Sequence, residues 1–191
     1  MAEASVRPPL VYVMGPSGAG KDAVLGFARE HLDPVRKIAF AHRYITRPAD
    51  TGGENHVALT QDEFAMRRAA GLFAFDWQAH GLSYGIGIEI EAWRKAGFVV
   101  VVSGSRAHVR TLDAAALGLV PVLITVPAEV LRRRLRARGR DDAASVAERL
   151  DRAAAEAADT TGMTVIDNSG PLEVAGSQLV ELLHRLAPPH P

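Results

Sequence analysis

The sequence predicts an α/β fold, with an open, mostly parallel sheet of five strands and helices on both of its faces. Three observations lead to this prediction. Short apolar segments rich in β-branched residues alternate with longer amphipathic segments along most of the chain. Residues 98–102 are apolar throughout, which is typical of a strand buried on both faces of a parallel sheet. A second apolar segment, residues 10–14, runs directly into a glycine-rich turn that is followed by a helical segment.

The glycine-rich turn has the sequence of a phosphate-binding loop. Residues 15–22 are GPSGAGKD, which matches the G-x-x-x-x-G-K spacing of a P-loop at Gly15, Gly20 and Lys21. In a P-loop, backbone N–H groups and the positive end of the helix dipole face the phosphates, and the lysine reaches the terminal ones. We therefore predict a P-loop NTPase that binds its nucleotide through the residues of this loop: Gly15, Pro16, Ser17, Gly18, Ala19, Gly20, Lys21 and Asp22.

Asp22 departs from the usual P-loop pattern, in which a serine or threonine hydroxyl at this position contacts Mg²⁺. A carboxylate can bind this metal directly or through a water molecule, and the sequence leaves both alternatives open. No acidic residue ends the strand predicted at 98–102, where a second ligand for the metal usually lies. We therefore expect Mg²⁺ as the cofactor and Asp22 as its candidate protein ligand.

Composition and charge exclude several classes of protein. The chain has 22 Lys and Arg against 22 Asp and Glu, so its formal net charge of zero does not favour binding to nucleic acid or to an anionic membrane. It contains no Cys, which excludes a disulfide and a thiolate metal site. No apolar segment approaches the length that spans a membrane, and residues 1–9 lack the apolar part of a signal peptide. We expect one soluble cytoplasmic domain over residues 1–191 that binds neither nucleic acid nor membrane, and the sequence leaves its oligomeric state open.

The elements after the P-loop are predicted from periodicity and capping. Thr60 and Glu63 form a capping box at the start of one helix, and Ser145 and Glu148 form a second one. Strands are predicted at 38–41, 73–78, 98–102, 120–126 and 164–167, and helices at about 23–32, 61–70, 88–96, 106–116, 128–137, 146–158 and 172–186.

Motifs around the P-loop resemble, in their order and spacing, the guanylate kinase family. They are Thr46-Arg47-Pro48 followed by Gly53-Glu54, the run HGLSYG at 80–85, an arginine-rich run at 131–140 followed by Glu148-Arg149-Leu150, and VIDN at 165–168. The resemblance covers almost the whole chain and implies a kinase with a guanylate-kinase-like fold. It implies that Arg43, Arg47 and Tyr84 bind the acceptor substrate, that Asn168 lies near the adenosine of ATP, and that Lys21, Arg138, Arg140 and Arg149 are catalytic.

On this resemblance, residues 43–87 are expected to be an acceptor-binding insertion in a core of about 10–42 and 88–187. Residues 138–144 are expected to be a mobile lid, since they carry two arginines around a glycine at a helix end. One guanidinium group can donate two hydrogen bonds to two oxygens of the same phosphate. A lid that closes over bound substrate brings this positive charge to the phosphates only in the closed state. The arginines at 132–136 are expected to lie on a solvated helix face.

The acceptor region departs from the guanylate kinase pattern at several positions. Asp50 replaces a basic residue, and the segment 56–60 has no tyrosine. Phe75 replaces the acidic residue that contacts the base, and Ile86 replaces a serine or threonine. A guanine that faces these apolar side chains would leave polar groups unpaired, at a cost of about 1–3 kcal/mol each. GMP is therefore a poor candidate acceptor.

The loop sequence GPSGAGKD together with WQAHGLSYGI at 77–86 resembles the family of ribose 1,5-bisphosphate phosphokinases of phosphonate catabolism, in which an Asp follows the P-loop Lys. This resemblance implies transfer of the γ-phosphate of ATP to the 1-phosphate of ribose 1,5-bisphosphate, giving 5-phosphoribosyl 1-diphosphate and ADP. The acceptor oxygen belongs to a phosphate monoester that is already anionic at neutral pH, so no general base is needed. One departure is Ser103, where this family has an Asn before Gly-Ser-Arg.

The sequence leaves four alternatives. A nucleoside monophosphate kinase of relaxed specificity, or another small-metabolite kinase, would share the P-loop. A non-catalytic guanylate-kinase-like binding module is disfavoured because Gly15, Gly20 and Lys21 are all present. A regulatory GTPase is disfavoured because the chain has no N-K-x-D motif for guanine, although residues 50–53 fit D-x-x-G.

Overall fold

The computed structural model describes residues 7–48, 56–137, 147, 150 and 160–187. In chain order its elements are β1 (Leu10–Met14), α1 (Lys21–His31), β2 (Ile38–Phe40), β3 (Arg43–Ile45), β4 (Val57–Ala58), α2 (Gln61–Ala69), β5 (Phe73–Ala79), β6 (Leu82–Gly87), α3 (Glu89–Lys95), β7 (Val99–Ser103), α4 (Arg106–Val109), α5 (Ala114–Leu117), β8 (Leu119–Thr125), α6 (Ala128–Ala137), β9 (Thr164–Asp167) and α7 (Leu172–Leu186). Among the described residues, no helix is both long enough and apolar enough to cross a membrane.

Five strands form the core sheet in the order β2-β7-β1-β8-β9. Every neighbouring pair in this sheet is parallel. The strands predicted at 38–41, 98–102, 120–126 and 164–167 all belong to it, and their ends lie within one residue of the observed ends. The predicted α/β fold with a five-stranded core sheet is therefore confirmed.

Successive residues of β1 point to opposite faces of the core sheet. Val11 and Val13 pack into one core with α1 and α7, and Leu10, Tyr12 and Met14 pack into a second core on the other face. The second core also contains residues of α3, α4 and the second sheet described below. All five side chains of β1 are fully buried. Burial on both faces explains why the strand shows no alternation of apolar and charged residues.

A second sheet of four strands, in the order β4-β3-β6-β5, is built from the region 43–87. The strands β5 and β6 form a hairpin whose two turn residues, His80 and Gly81, both have positive φ (52° and 71°), as a type I′ turn requires. The sequence predicted only β5 among these four strands. The strands β3 and β4 have 3 and 2 residues, too few to show a period, and β6 contains two glycines, which weaken a strand pattern.

The predicted single helix at 106–116 is wrong. The structure has two short helices there, α4 and α5, and each has its own N-cap. Ser105 Oγ accepts a hydrogen bond from His108 N (3.3 Å), and Asp113 Oδ1 accepts one from Ala116 N (3.0 Å). Asp113 caps α5 in an extended backbone conformation, so one continuous helix cannot pass through it.

The capping box predicted for α2 is half correct. Thr60 Oγ1 accepts a hydrogen bond from Glu63 N (3.1 Å), as predicted. Within the described residues, the Glu63 carboxylate accepts from Arg67 Nη2 (2.7 Å), one turn later, instead of reaching back to the cap. The second predicted capping box, at Ser145 and Glu148, and the predicted lid at 138–144 lie outside the described residues.

Two glycines in the packed helices α1 and α7 offer a matched test of this packing. A Cβ at Gly176 would overlap the Phe27 ring, whereas a Cβ at Gly26 would meet no atom within 4 Å. Gly26→Ala should stabilise the protein by about 0.5–1 kcal/mol through its better helix propensity. Gly176→Ala should destabilise it by about 1–3 kcal/mol, since the Phe27 ring must move. Chemical denaturation measures both free energies of unfolding, and equal stabilisation would contradict the close approach of α1 to α7.

Candidate active site

The P-loop joins β1 to α1 at the carboxyl end of the parallel sheet. Its first and last glycines, Gly15 and Gly20, have φ values of 150° and 87°. A Cβ at Gly15 would overlap the carbonyl oxygen of Ile124, and one at Gly20 would overlap the side-chain amide of Asn168. Both the backbone conformation and the available space therefore require glycine at the two ends of the loop.

Lys21 begins α1, and its ammonium group turns back over the loop. Nζ donates hydrogen bonds to the carbonyl oxygens of Gly15 (2.7 Å) and Pro16 (3.2 Å). The positive charge is thereby held beside the loop and next to the N-terminus of α1, where the helix dipole has the same sign. Both features favour the binding of an anion such as a phosphate group at this place.

Two side chains meet at the carbonyl group of Ala19, inside the P-loop. Asn168, which is 3% exposed, donates from Nδ2 to Ala19 O (2.7 Å). Arg134 of α6 donates from Nη1 to the same oxygen (3.2 Å) and from Nη2 to Asn168 O (2.8 Å). One carbonyl oxygen therefore links the P-loop, the residue after β9 and helix α6.

The contacts of Arg134 correct the expectation that the arginines at 132–136 lie on a solvated helix face. Leu131 and Leu135 of the same helix are 1% and 0% exposed. Arg134 follows Leu131 by three positions, which places it at the edge of the buried face, whereas Arg133 is exposed. The spacing of the two leucines is the sequence signal that places Arg134 beside the buried face. The four arginines at 132, 133, 134 and 136 look alike and obscured this signal.

Arg47 follows β3 in a polar cluster on the second sheet. Its Nη2 donates to Nδ1 of His56 (3.4 Å), and Nε2 of His56 donates to the carbonyl oxygen of Arg47 (3.1 Å). This pairing fits the imidazole tautomer that carries its proton on Nε2. Thr46 Oγ1 accepts from Ser83 N (2.9 Å) and so ties the segment to β6. The sequence did not identify His56 as a site residue, because its role depends on a fold-back of the chain onto Arg47.

The predicted acceptor residues Arg43 and Tyr84 lie side by side on the second sheet. The guanidinium carbon of Arg43 is 5.5 Å from the centre of the Tyr84 ring. The Tyr84 ring also stacks on Trp77, with 5.5 Å between ring centres. Arg47 comes two residues after Ile45, which pairs with Tyr84 across β3 and β6. The structure thus brings Arg43 next to Tyr84, and it places Arg47 beyond the end of β3, in the direction in which that strand runs.

A buried tyrosine and a histidine, neither of which the sequence analysis identified, connect the two sheets. Tyr12 of β1 is fully buried, and its hydroxyl oxygen lies 2.9 Å from Nδ1 of His108. Burial raises the pKa of Tyr12 above its ordinary value and lowers the pKa of His108. The hydroxyl therefore keeps its proton beside a neutral imidazole, and it lies within hydrogen-bond distance of both Nδ1 of His108 (2.9 Å) and the carbonyl oxygen of Ser105 (3.3 Å). His108 in turn stacks on Trp77, with 4.9 Å between ring centres.

Ser103 ends β7 beside the P-loop. It pairs with Val13 of β1 in parallel register, so its side chain lies on the sheet face that α1 covers. The residue is 7% exposed, and in the described part of the chain its Oγ has no hydrogen-bond partner. Asp22 lies in the first turn of α1, directly after Lys21. A buried hydroxyl and a carboxylate thus occupy the two sequence positions at which P-loop enzymes place protein ligands of Mg²⁺.

Three predicted catalytic residues, Arg138, Arg140 and Arg149, lie outside the described residues, so their roles stay predictions. Asn168 contacts the P-loop as described above, and its predicted place beside adenosine also stays a prediction. Among the residues that the structure describes, no group of three or more His, Cys, Asp or Glu side chains is arranged to hold a metal ion.

A P-loop at the carboxyl end of a parallel sheet, with a second sheet that carries arginines and a tyrosine, defines a P-loop kinase of the guanylate kinase type. The solved structure of guanylate kinase from Anaplasma phagocytophilum has the same fold. It superposes with a TM-score of 0.71, covers 94% of this chain and 86% of that chain, and shares 19% sequence identity. The predicted guanylate-kinase-like fold is therefore confirmed.

Curated relatives identify the family within this class. The chain is 54% identical to a ribose 1,5-bisphosphate phosphokinase from Burkholderia pseudomallei over 179 residues, covering 93% of this chain and 96% of the relative. It is 50% identical to the enzyme of that name from Desulfomicrobium baculatum over 174 residues, covering 91% of this chain and 93% of the relative. No protein-family model matches the chain. The chain belongs to the ribose 1,5-bisphosphate phosphokinase family, and the predicted resemblance is confirmed.

Arg134→Met should weaken nucleotide binding, because Ala19 O and Asn168 O both lose a charged donor. We expect the Kd for ADP to rise about tenfold, which corresponds to about 1.4 kcal/mol. Arg133→Met changes the neighbouring exposed arginine and is the matched control, which should bind ADP like the wild type. Isothermal titration calorimetry measures both constants. The same Kd in the two variants would show that the P-loop does not depend on Arg134.

Proposed function

We propose that this chain transfers the γ-phosphate of ATP to the 1-phosphate of ribose 1,5-bisphosphate, forming 5-phosphoribosyl 1-diphosphate and ADP. The observation that carries the proposal is the identity of 50% and 54% to ribose 1,5-bisphosphate phosphokinases over at least 91% of this chain. The position of the Lys21 ammonium group beside the P-loop supports a nucleoside triphosphate as the donor of the phosphoryl group. Phe75 and Ile86 pair across β5 and β6 and are 9% and 0% exposed, which supports an acceptor without a base.

The proposed reaction forms one P–O bond and breaks another. An oxygen of the acceptor's 1-phosphate attacks the γ-phosphorus of ATP, and the bond between the γ-phosphorus and the bridging oxygen breaks, so that ADP leaves. The attacking oxygen is anionic near neutral pH, because the second pKa of a phosphate monoester is about 6. No side chain has to remove a proton from it. Catalysis then depends on the position of the two substrates and on neutralisation of their charge.

The donor half of the site is assigned to the P-loop and the arginines of the predicted lid. Backbone N–H groups of the P-loop bind the phosphates of ATP, and Lys21 exchanges its loop carbonyl partners for phosphate oxygens. Arg138, Arg140 and Arg149 neutralise charge on the transferred phosphoryl group. Asn168 lies near the adenosine. Residues 43–87 form the acceptor-binding region of this proposal.

The acceptor half is assigned to Arg43, Arg47 and Tyr84. The guanidinium group of Arg47 and the hydroxyl of Tyr84 bind a phosphate of the sugar, and Arg43 adds positive charge beside the Tyr84 ring. Arg47 is already held by His56, whose Nδ1 is 3.4 Å from Nη2. A side chain held in place before the ligand arrives loses less conformational freedom on binding.

Mg²⁺ fits the site on the chemistry of the residues present. This ion keeps several water molecules and binds through one or two protein oxygens together with substrate phosphates. A site of that kind needs no cluster of three acidic or histidine ligands, and the described residues hold none. Asp22 and the buried hydroxyl of Ser103 are the protein oxygens that would hold it. When bound, the metal neutralises charge on the β- and γ-phosphates.

An acceptor screen tests the proposed function. The protein is given ATP, Mg²⁺ and either ribose 1,5-bisphosphate, GMP or gluconate, and phosphorus NMR follows the formation of a diphosphate. We expect product with ribose 1,5-bisphosphate and little turnover of the others. Lys21→Ala should lower kcat by about a hundredfold or more, whereas Lys95→Ala, at an exposed lysine, should not. Comparable turnover of GMP would favour a nucleoside monophosphate kinase instead.

Arg47→Ala should affect the sugar substrate far more than ATP, because the proposed contact is with an acceptor phosphate. We expect the KM for ribose 1,5-bisphosphate to rise about tenfold or more and the KM for ATP to change less than about twofold. Arg110→Ala, at an exposed arginine, is the control. Initial-rate kinetics with each substrate varied in turn measures both constants. An equal rise in the two KM values would remove Arg47 from the acceptor site.

Asp22→Ala should raise the Mg²⁺ concentration that gives half-maximal tightening of ADP binding, because the proposed carboxylate contact is lost. Asp22→Ser should recover part of this effect, since a hydroxyl is the usual ligand at this position. The double change of Asp22→Ser with Ser103→Asp should recover more, because it restores the usual hydroxyl and acid at the two positions. Calorimetric titration of ADP at several Mg²⁺ concentrations measures each midpoint.

The alternative role for Asp22 is to stabilise the first turn of α1, which is worth about 0.3–1 kcal/mol. In that case Asp22→Ala would lower the Tm and leave the Mg²⁺ midpoint unchanged. Such a result would exclude the metal contact and leave the contribution to the helix.

A further inference from the structure

The aromatic residues near the acceptor site form a row, of which the proposed reaction uses only the Tyr84 hydroxyl. Tyr84 of β6, Trp77 of β5, His108 of α4 and Tyr12 of β1 follow one another from the second sheet to the core sheet. We propose that this row fills the space that a nucleobase would need and so restricts the site to acceptors without a base. The inference rests on the proposed function, because it explains how that site selects a sugar phosphate.

Trp77 is the centre of the row, and other rings take up its stacking surface. Tyr84 stacks on it with 5.5 Å between ring centres and 6° between planes. His108 stacks on it with 4.9 Å between ring centres and 20° between planes. An indole that is stacked on two protein rings does not offer the open platform on which a base or a sugar would stack. In this proposal Trp77 fills the space between Tyr84 and His108, and its role is to exclude a ligand group.

The register of the second sheet places the row beside two apolar residues. Across β5 and β6, Trp77 pairs with Tyr84 and Phe75 pairs with Ile86, and residues paired in this way point to the same side of the sheet. Phe75 also meets His108 edge-on, with 6.0 Å between ring centres. At this part of the sheet, a base would meet rings and aliphatic carbon atoms rather than hydrogen-bond partners for its polar edge.

His108 fixes the row to the core sheet. Its Nδ1 is 2.9 Å from the Tyr12 hydroxyl, and that hydroxyl also accepts a hydrogen bond from Ser105 N (3.1 Å). A Cβ at Gly104 would overlap the Tyr12 hydroxyl, so the glycine provides the space for these bonds. The row is therefore fixed to β1, three residues before the P-loop begins, and does not move aside without breaking buried hydrogen bonds.

The other end of the row coincides with the proposed phosphate contact. The guanidinium carbon of Arg43 lies 5.5 Å from the centre of the Tyr84 ring. Tyr84 and Trp77 are half-buried, so an edge of the row remains open to a ligand. A phosphate bound at Tyr84 and Arg43 would leave its sugar next to the stacked rings of the row. In this proposal, the stacking of Trp77 on Tyr84 both holds the Tyr84 ring in place and occupies the space that a base would need.

The test compares the two tryptophans of the chain. Trp77→Ala opens the row, and Trp93→Ala removes a tryptophan that packs on the same core. We expect kcat/KM for GMP to rise about tenfold or more in Trp77→Ala, while the KM for ribose 1,5-bisphosphate rises as well. Trp77→Phe keeps a ring and should retain the preference of the wild type. Trp93→Ala should lower stability and leave the ratio of the two kcat/KM values unchanged.

Binding measurements separate this inference from the proposed function. A wild-type protein that does not phosphorylate ribose 1,5-bisphosphate would contradict the proposed function, and calorimetry with GMP would still test the row. Tighter GMP binding in Trp77→Ala than in Trp93→Ala would support the inference. If Trp77→Ala does not fold, His108→Ala removes the next ring and takes its place. An unchanged Kd and an unchanged kcat/KM for GMP in the folded variant would overturn the inference.

Discussion

A phosphate-binding loop turns its N–H groups toward the ligand, so the rest of the protein must satisfy the carbonyl groups that face inward. Here that requirement falls on Ala19, a buried residue whose carbonyl oxygen accepts from Asn168 (2.7 Å) and Arg134 (3.2 Å). Without these donors the buried oxygen would cost about 1–3 kcal/mol. Because one donor follows β9 and the other lies on α6, the conformation of the loop depends on both elements. The predicted lid follows α6 directly, so it starts from a helix that is bonded to the loop it is expected to cover.

The second sheet depends on a different interaction, its packing against the core sheet. Its strands have between 2 and 7 residues and would not form a stable sheet on their own. Phe75 and Ile86 lie in the same core as Tyr12 and Met14 of β1, and the contacts of His108 with Tyr12 and Trp77 join the two sheets. The strand that leads into the P-loop therefore also positions the proposed acceptor residues. Phosphoryl transfer requires such a shared support, because the donor and the acceptor must be held in a fixed position relative to each other.

The core sheet and the P-loop could be predicted because their signals are local. Residues 98–102 and 10–14 are apolar at consecutive positions, and the P-loop is defined within eight residues. The second sheet gave little signal, because its short strands have no visible period. Arg134 was missed because the arginines around it look alike until the burial of Leu131 and Leu135 sets the face of the helix. The bond between Tyr12 and His108 joins residues 96 positions apart, and nothing in either local sequence specifies the other.

The absence of a general base from the proposed reaction has a consequence for specificity. If the attacking oxygen is anionic before it enters the site, a positioned acid or base cannot distinguish one phosphate ester from another. In the proposed site, the arginines are assigned to the phosphate group that all such acceptors share. In the proposed site the two kinds of acceptor then differ at C1 of the ribose, where a sugar bisphosphate carries a phosphate and a nucleoside monophosphate carries its base, and a filled space rejects the base by steric overlap. The proposed exclusion of a base accounts for the departure of Phe75 and Ile86 from the guanylate kinase pattern, beside the stacked ring of Trp77.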